Sequence, residues 1–346
     1  MPPSVSLVLP NRNNEPVLDL FFETLLAGTE LRDWELIVVD DGSTDRSVAV
    51  LERWGASGRI PGFQLLRQPP SGVITALNRA CEAASGDLIV RLDGDATLET
   101  PGWLERLLAV RELSDRVGVV VTKVVFDSGR VQACGMSIVS AAGVHPIGTR
   151  LEEPVGHRTL DIAVEYPPED EAPGPPELAE VDAGIGCCML FDRDLWRELG
   201  GFDSRYDPAG FEDFDFALGA RAAGRKVFYL PDVRVLHRIS MRNPREATSR
   251  RVMALYRLRR GLGRFVPERL RDAAAARAGL GDYDPQRIAM LRGHYAAWRE
   301  KWGFDALNPD MDAVLARWGG TEVCWAYDDG LRRAGEEIAA AHRALA

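Results

Sequence analysis

The sequence predicts an α/β fold: a mostly parallel central sheet flanked by helices in a Rossmann-like manner, followed by a helical extension. Three observations predict it. Short apolar runs alternate with helical patterns through the first hundred residues, acidic residues gather where apolar runs end, and the texture turns Arg-, Ala- and Leu-rich past about residue 240. Strands separated by helical patterns imply βαβ units, because parallel neighbours need a crossover connection.

The elements follow in order. Val5–Leu9 is an apolar run stopped by Pro10, the pattern of a buried strand. A helical pattern spans Val17–Leu26. Glu35–Val39 is the second strand and ends in Asp40-Asp41-Gly42. Thr44 or Asp45 is placed to cap a helix running through Trp54. Phe63–Leu66 is the third strand, Val73–Ala84 a helix, and Asp87–Leu92 a fourth strand running into Asp93-Gly94-Asp95. Val117–Phe126 reads as a buried strand despite Lys123, and Asp127–Gly129 as a turn. Tyr166–Leu178 is rich in proline and acid, an exposed loop of the kind that serves as a lid. Gly186–Phe191 is a strand, and the helix after it closes at Gly200-Gly201. A helix over Phe211–Ala223 stops at Gly224. Lys226–Leu230 and Val233–His237 read as two short strands flanking Pro231. A boundary near residue 240 divides a sheet domain, 1–240, from a helical extension, 241–346.

Composition narrows the partners. Of 346 residues, 46% are hydrophobic, enough for a substantial core, and the net charge of −10 argues against nucleic acid. No apolar stretch approaches the roughly 20 residues that span a bilayer, and no apolar leader precedes the polar run Pro10–Glu15. Five cysteines, an odd number without a Cys-x-x-Cys pair, suit a reduced, cytoplasmic protein. The segment Arg238–Arg277 is dense in arginine and opposed only by Glu246, Glu268 and Asp272. A solvated helical face or a dimer contact explains it best, with an anionic membrane surface or a lipid-phosphate acceptor as the alternative. Trp298, Trp302, Trp318 and Trp325 are read as packing this extension.

The acidic groups carry the chemistry. Asp93 and Asp95, two apart on an extended chain, project to one side, and Gly94 lets a ligand approach the backbone. Two such carboxylates suit Mg²⁺ or Mn²⁺, with phosphate and water as the other ligands. The same stretch, Asp93-Gly-Asp-Ala-Thr97, also fits the nucleophile motif of haloacid-dehalogenase-like phosphatases, with Asp93 as nucleophile. The preceding strand–helix units and the lack of a downstream Gly-Asp-x-x-x-Asp motif speak against that. Asp40 and Asp41 stand where a base or ribose would bind in an open α/β sheet. Glu212, Asp213 and Asp215 are interleaved with phenylalanines. A carboxylate beside apolar surface has a raised pKa, which suits a general base. Neighbours on a helix point about 100° apart, so only one of Glu212 and Asp213 faces a given substrate. Asp182 precedes Gly184 and Gly186. His237 ends its strand, and a lone histidine is more often structural than a ligand.

In order and spacing these residues resemble family 2 glycosyltransferases of GT-A fold, through roughly residues 3–240. Val5–Asn13 is similar to the opening strand with Pro-x-x-Asn, and Glu35–Asp45 to the Asp-Asp-Gly-Ser-Thr-Asp segment. Gly72 with Asn78 and Gly86–Asp95 continue the match. Asp182–Leu190, Gly200–Asp203, Phe211–Asp215 and Pro231–His237 resemble the rhamnosyltransferase-like subgroup. The resemblance implies an inverting transferase with a UDP- or dTDP-linked donor. The acceptor would be a hydroxyl of a sugar, a lipid-linked glycan or a small molecule; the resemblance fades past about residue 240, so peripheral membrane contact and a homodimer stay as readings of the arginine-rich extension alone. By the same resemblance Pro10, Asn13, Asp40 and Asp41 line the nucleotide pocket, with Gly72 and Asn78 bordering base and phosphates. Asp93 approaches the ribose at the Gly94 turn, Asp95 with Asp93 and His237 holds the metal, and Gly184 and Gly186 lie near the donor sugar. Asp213 is the base, and Glu212 supports it and binds acceptor. Asn11-Arg12 and Pro70 depart from the family pattern at the nucleotide pocket. A phosphatase and a catalytically silent nucleotide-binding protein are the alternative functions.

Overall fold

Four apolar runs lie side by side as parallel strands: β1 (Val5–Asn11), β2 (Trp34–Asp41), β3 (Phe63–Gln68) and β4 (Leu88–Leu92). In this computed structural model, which describes residues 4–140, 143–146, 150–151, 164–165, 169, 175–238, 285–304 and 337–344, Val5 of β1 faces both Trp34 and Leu88. The crossovers are α1 (Glu15–Gly28), α2 (Ser47–Ala56) and α3 (Val73–Ala83). Every residue of β1 is buried, as a strand covered on both faces requires.

Next come β5 (Ala96–Leu98), α4 (Trp103–Glu112), β6 (Val117–Phe126) and β7 (Val131–Ala133). A hairpin of β8 (Met136–Ser140) with β9 (Gly143–Pro146) and a pair of β10 (Arg150–Leu151) with β11 (Val164–Glu165) stand outside the main sheet. Then follow β12 (Ala179–Glu180), β13 (Cys188–Asp192), α5 (Arg193–Glu198), α6 (Glu212–Ala222) and β14 (Lys226–His237). The sheet order is β12-β14-β6-β13-β4-β1-β2-β3. β13 runs antiparallel to both β4 and β6, while β14 runs parallel to β6. The chain moves outward from β1 to β3 and then returns to β4 on the far side of β1. That reversal makes a switch point where ligands bind beyond the carboxyl ends of the strands.

Alternate residues feed two apolar layers. Val8, Ile37 and Ile89 pack with α3, α5 and α6, and Leu7, Leu9, Val38 and Val90 with α1, α2 and α4.

Two expectations change. Lys226–Leu230 and Val233–His237 are one strand, β14, whose pairing with β6 shifts register between Leu230 and Arg234. The irregularity accommodates Pro231, which has no N–H for a ladder bond. The residue before α2 is Arg46, not Thr44 or Asp45. Asp45 still serves two helix starts, because its carboxylate accepts from Ser47 N–H at 2.9 Å and Glu15 N–H at 3.1 Å.

The helix α7 (Pro285–Trp302) brings Trp298 and Trp302 into the layer of α3 and α6. A further helical segment, 337–344, places Ile338 in the other layer. Trp318, Trp325, Cys324, Arg242–Arg277 and most of Tyr166–Leu178 lie outside the described residues. Among the described residues no helix is long and apolar enough to cross a membrane. Cys81, Cys134, Cys187 and Cys188 are buried free thiols.

Candidate active site

At the carboxyl ends of β1 and β2 the side chains knit to one another. Asp40 accepts from the Asn11 amide at 2.8 Å and the Ser43 hydroxyl at 2.5 Å. Asn13, with φ of 53°, accepts from Thr44 N–H at 2.8 Å; asparagine tolerates this left-handed conformation better than most residues. Pro10 is buried in β1 opposite Val39. Asp41 accepts from Ser71 N–H at 2.7 Å, Gly72 N–H at 3.0 Å and the Gln68 amide at 2.9 Å. It thereby folds the 69–72 loop over the end of β2. Both departures from the family pattern press on this spot. Arg12 Nη1 is 3.5 Å from Asp41, and a Cβ on Gly42 would stand 2.5 Å from the Pro70 ring.

Gly72 has φ of +114°, and a Cβ there would lie 2.2 Å from Asp207 Oδ1. Asp207 fills the place of a cap for α3: it accepts from Ile74 N–H at 2.9 Å and the Thr75 hydroxyl at 2.7 Å. Asn78 donates to Phe202 O at 2.7 Å and accepts from Phe202 N–H at 2.8 Å. Its amide therefore holds the turn after α5.

Beyond β4, the Asp93 side chain is 24% exposed and that of Asp95 3%. A Cβ on Gly94 would stand 2.5 Å from the Asn14 amide, which donates to Asn11 at 3.2 Å. Asn14 thus links the Asp93–Asp95 turn to the Asp40 network. His237, at the end of β14, places Nε2 3.1 Å from Asp95 Oδ1 and Nδ1 2.7 Å from Gln132 Oε1. An amide oxygen only accepts, so Nδ1 carries a proton and Nε2 faces the carboxylate. A lone pair on Nε2 beside a carboxylate oxygen calls for a proton or a cation between them. One ligand atom each of Asp93, Cys187 and His237 lie within 4.8 Å of one another. Cys187 offers a soft sulfur, whereas Mg²⁺ and Mn²⁺ prefer carboxylate and water oxygens. Asp93, Asp95 and His237 remain as a donor set that fits a small divalent cation. The Gln132 contact orients the histidine, as partners of metal-ligating imidazoles do.

The third group sits on the first turn of α6. Asp213 accepts from Gly186 N–H and from Phe214 N–H, each at 2.9 Å. Burial first, and then the charge of Glu212, push its pKa up to about 7, against the pull of Arg91 and the two N–H groups. Glu212 accepts from Arg91 Nη2 at 2.8 Å and from Gly210 N–H at 2.7 Å, so both its oxygens are engaged within the chain. Arg91 Nη2 also lies 3.7 Å from Asp93 Oδ1. A Cβ on Gly186 would stand 2.3 Å from the Arg91 guanidinium carbon, and one on Gly184 2.5 Å from Val121. Behind the turn, Asp215 accepts from Lys301 at 2.6 Å and from the Trp302 indole at 2.8 Å, both on α7. Asp182 is buried, and its backbone carbonyl accepts from Arg221 at 3.2 Å.

The Asp93–Asp95 and Glu212–Asp213 groups therefore meet through Arg91, and the Asp40 group reaches them through Asn11 and Asn14. Arg91, Gln132, Asn14 and Asp207 were not singled out from sequence. Arg91 left a signal, as the lone cation in the apolar strand β4.

The family model "Glycosyl transferase family 2" matches residues 6–200. The chain is 27% identical over 256 residues to the O-antigen biosynthesis protein RfbC of Myxococcus xanthus, covering 73% of this chain and 18% of that protein. It is 32% identical over 162 residues to the putative glycosyltransferase EpsE of Bacillus subtilis, covering 46% of this chain and 55% of that protein. It thus spans under a fifth of the first relative and about half of the second. Among solved structures, the mannosyltransferase PcManGT from Pyrobaculum calidifontis, in complex with GDP-Man and Mn²⁺, aligns at 20% identity with a TM-score of 0.47. That alignment covers 100% of this chain and 88% of the other.

Proposed function

The chain belongs to glycosyl transferase family 2, and we propose that it moves a sugar from a nucleoside diphosphate sugar to an acceptor hydroxyl with inversion at the anomeric carbon. The observation that carries this reading is Asp213: a buried carboxylate, its pKa pushed up to about 7, next to Glu212, which Arg91 ties to the donor-side acid Asp93. A carboxylate of that basicity takes a proton near neutral pH far better than an ordinary one.

The acceptor hydroxyl gives its proton to Asp213. The oxygen electron pair forms a bond to the anomeric carbon on the face opposite the leaving group. The bond from that carbon to the terminal phosphate oxygen breaks, and its electrons stay on the departing diphosphate. One displacement inverts the centre. Asp93, Asp95 and His237 would hold Mg²⁺ or Mn²⁺; such a cation, when bound, offsets charge on the leaving diphosphate. The rest of the donor pocket is framed by Pro10, Asn13, Asp40, the Asp41-braced loop and Gly72 at the sheet's switch point. Gly94 leaves the backbone approachable, and Gly184 and Gly186 flank the donor sugar. Asn78 contributes by holding the Phe202 turn.

A UDP- or dTDP-linked donor is the reading the subgroup resemblance supports. The O-antigen biosynthesis name of the Myxococcus relative supports a cell-surface glycan or its lipid-linked precursor as acceptor. The phosphatase reading of Asp93 falls with the family match.

Asp213→Asn tests the assignment. Its kcat is expected to fall about 10²- to 10⁴-fold, the usual contribution of a general base, while UDP affinity in Mn²⁺ stays close to wild type. Wild-type turnover by this variant would remove Asp213 from the role.

A further inference from the structure

We propose that Arg91 is a positioning residue of the transfer reaction: its buried guanidinium holds the donor-side acid Asp93 and the base pair Glu212–Asp213 in one register. The proposal rests on the reading of Asp213 as base.

Arg91 lies on β4, two residues before Asp93, and its side chain is 5% exposed. Nη2 reaches Glu212 Oε1 at 2.8 Å and lies 3.7 Å from Asp93 Oδ1. One nitrogen therefore stands between a strand that carries the metal-type acids and a helix that carries the base. From Glu212 the connection continues to the Gly210 N–H at 2.7 Å, which sets the turn into α6. A second route is steric. The guanidinium lies against Gly186, where a Cβ would stand 2.3 Å from Cζ, and the Gly186 N–H donates to Asp213 Oδ2 at 2.9 Å. The Phe202 ring, with its centroid 5.8 Å from Cζ, lies within cation–π distance of the guanidinium. Arg91 is thus clamped, and through Gly186 and Glu212 it fixes both the orientation and the mounting of the base.

Stability alone does not account for this arginine. Its neighbours on the strand are Leu88, Ile89, Val90 and Leu92. Among the described residues, Arg91 Nε and Nη1 are buried without hydrogen-bond partners. A buried ion pair with unmet donors is a weak stabiliser, and apolar residues of similar volume often replace such pairs without loss. Here one cation meets the charges of Asp93, Glu212 and Asp213. That arrangement serves the relative placement of two carboxylate groups that would otherwise repel.

The test uses the full chain as Arg91→Met, Arg91→Lys and the double variant Arg91→Met/Glu212→Gln, with Asp213→Asn alongside. The double variant removes both buried charges together, so a folded form is available if Arg91→Met alone does not fold. UDP binding with Mn²⁺ is measured by calorimetry. Amide exchange is followed at Gly186, Gly210 and Phe214. Turnover is measured on the UDP- or dTDP-sugar and acceptor that the wild type uses. The folded methionine variant should bind UDP within about threefold of wild type, lose about 100-fold or more in kcat, and exchange those three amides faster. Lysine, which restores charge without the planar fork, should recover part of the lost kcat. A folded Arg91→Met or double variant with kcat and amide exchange near wild type overturns the proposal. So does a loss that appears in UDP affinity and not in kcat. An active Asp213→Asn sinks the base assignment, whereas an inactive Asp213→Asn beside an active Arg91→Met sinks the role of Arg91 alone.

Discussion

Replacing Asp213 by asparagine should make the protein more stable at neutral and alkaline pH while disabling it. In the folded chain this carboxyl is displaced from 3.8 up to about 7, chiefly by burial. A raised folded pKa means that the folded state holds the proton more tightly than the unfolded one. The stability this confers is full below about pH 4 and is lost as pH rises through about 7, because the buried group must then ionise. Three units at about 1.4 kcal/mol each make an ionised Asp213 cost the fold about 4 kcal/mol above pH 7. Asparagine carries no charge, but its single oxygen cannot accept from both Gly186 and Phe214, which returns about 1 kcal/mol. The stability gap between Asp213→Asn and wild type should therefore grow from slightly negative near pH 4 to about +3 kcal/mol above pH 7. Urea unfolding of both proteins at pH 4, 5, 6, 7 and 8 measures it. A gap independent of pH would refute the reasoning. A gap that shrinks as pH rises would mean that the carboxyl is depressed, not raised.

Gln132→Leu removes the acceptor that turns His237 toward Asp95, and Mn²⁺ affinity should fall about 10- to 100-fold, as loss of such a partner does elsewhere. Electron paramagnetic resonance titration of free Mn²⁺ reads this without turnover, and an unchanged affinity would detach Gln132 from the site. Lys301→Met leaves Asp215 buried with the Trp302 indole and the Tyr206 hydroxyl as its side-chain donors among the described residues, so the chain should lose about 3 kcal/mol at pH 7. Burial already raises the Asp215 pKa, so the deficit should narrow on acidification as the carboxyl takes up a proton. A urea midpoint equal to wild type at pH 7 would show that α7 does not brace α6.

What the sequence made legible follows from what is local. The runs that became β1, β2 and β4 are apolar because both faces of the sheet are covered, and β2 and β4 end in the acids that mark the crevice. Asp213 was readable because phenylalanines on either side announce burial. The strands β5, β7 and β12, of three, three and two residues, are too short for any periodicity to register. The supporting residues are invisible for another reason. Gln132 finds His237 across 105 positions, Arg91 finds Glu212 across 121, and Asp207 finds Ile74 across 133. Their meaning exists only once the sheet has paired, so a glutamine on a short strand and an aspartate in a loop look like ordinary surface residues in the chain.

The mounting of Asp213 shows the same point at the level of domains. Phe211, which opens α6, sits at φ of 75°, a left-handed conformation that costs a bulky residue about 1 kcal/mol or more. It is held there by ring contacts to Tyr206 at 5.9 Å, Tyr295 at 5.0 Å and Trp298 at 5.7 Å, the last two supplied by α7. One turn further along, Lys301 and Trp302 of α7 fix Asp215. On its other side the same turn is fixed by β4 through Arg91. The change in texture near residue 240 therefore divides the sequence and not the machinery. Asp213 stands on a helical turn clamped between the strand that bears Asp93 and a helix that comes from beyond that boundary, and removing either clamp should displace its carboxylate before it unfolds the sheet.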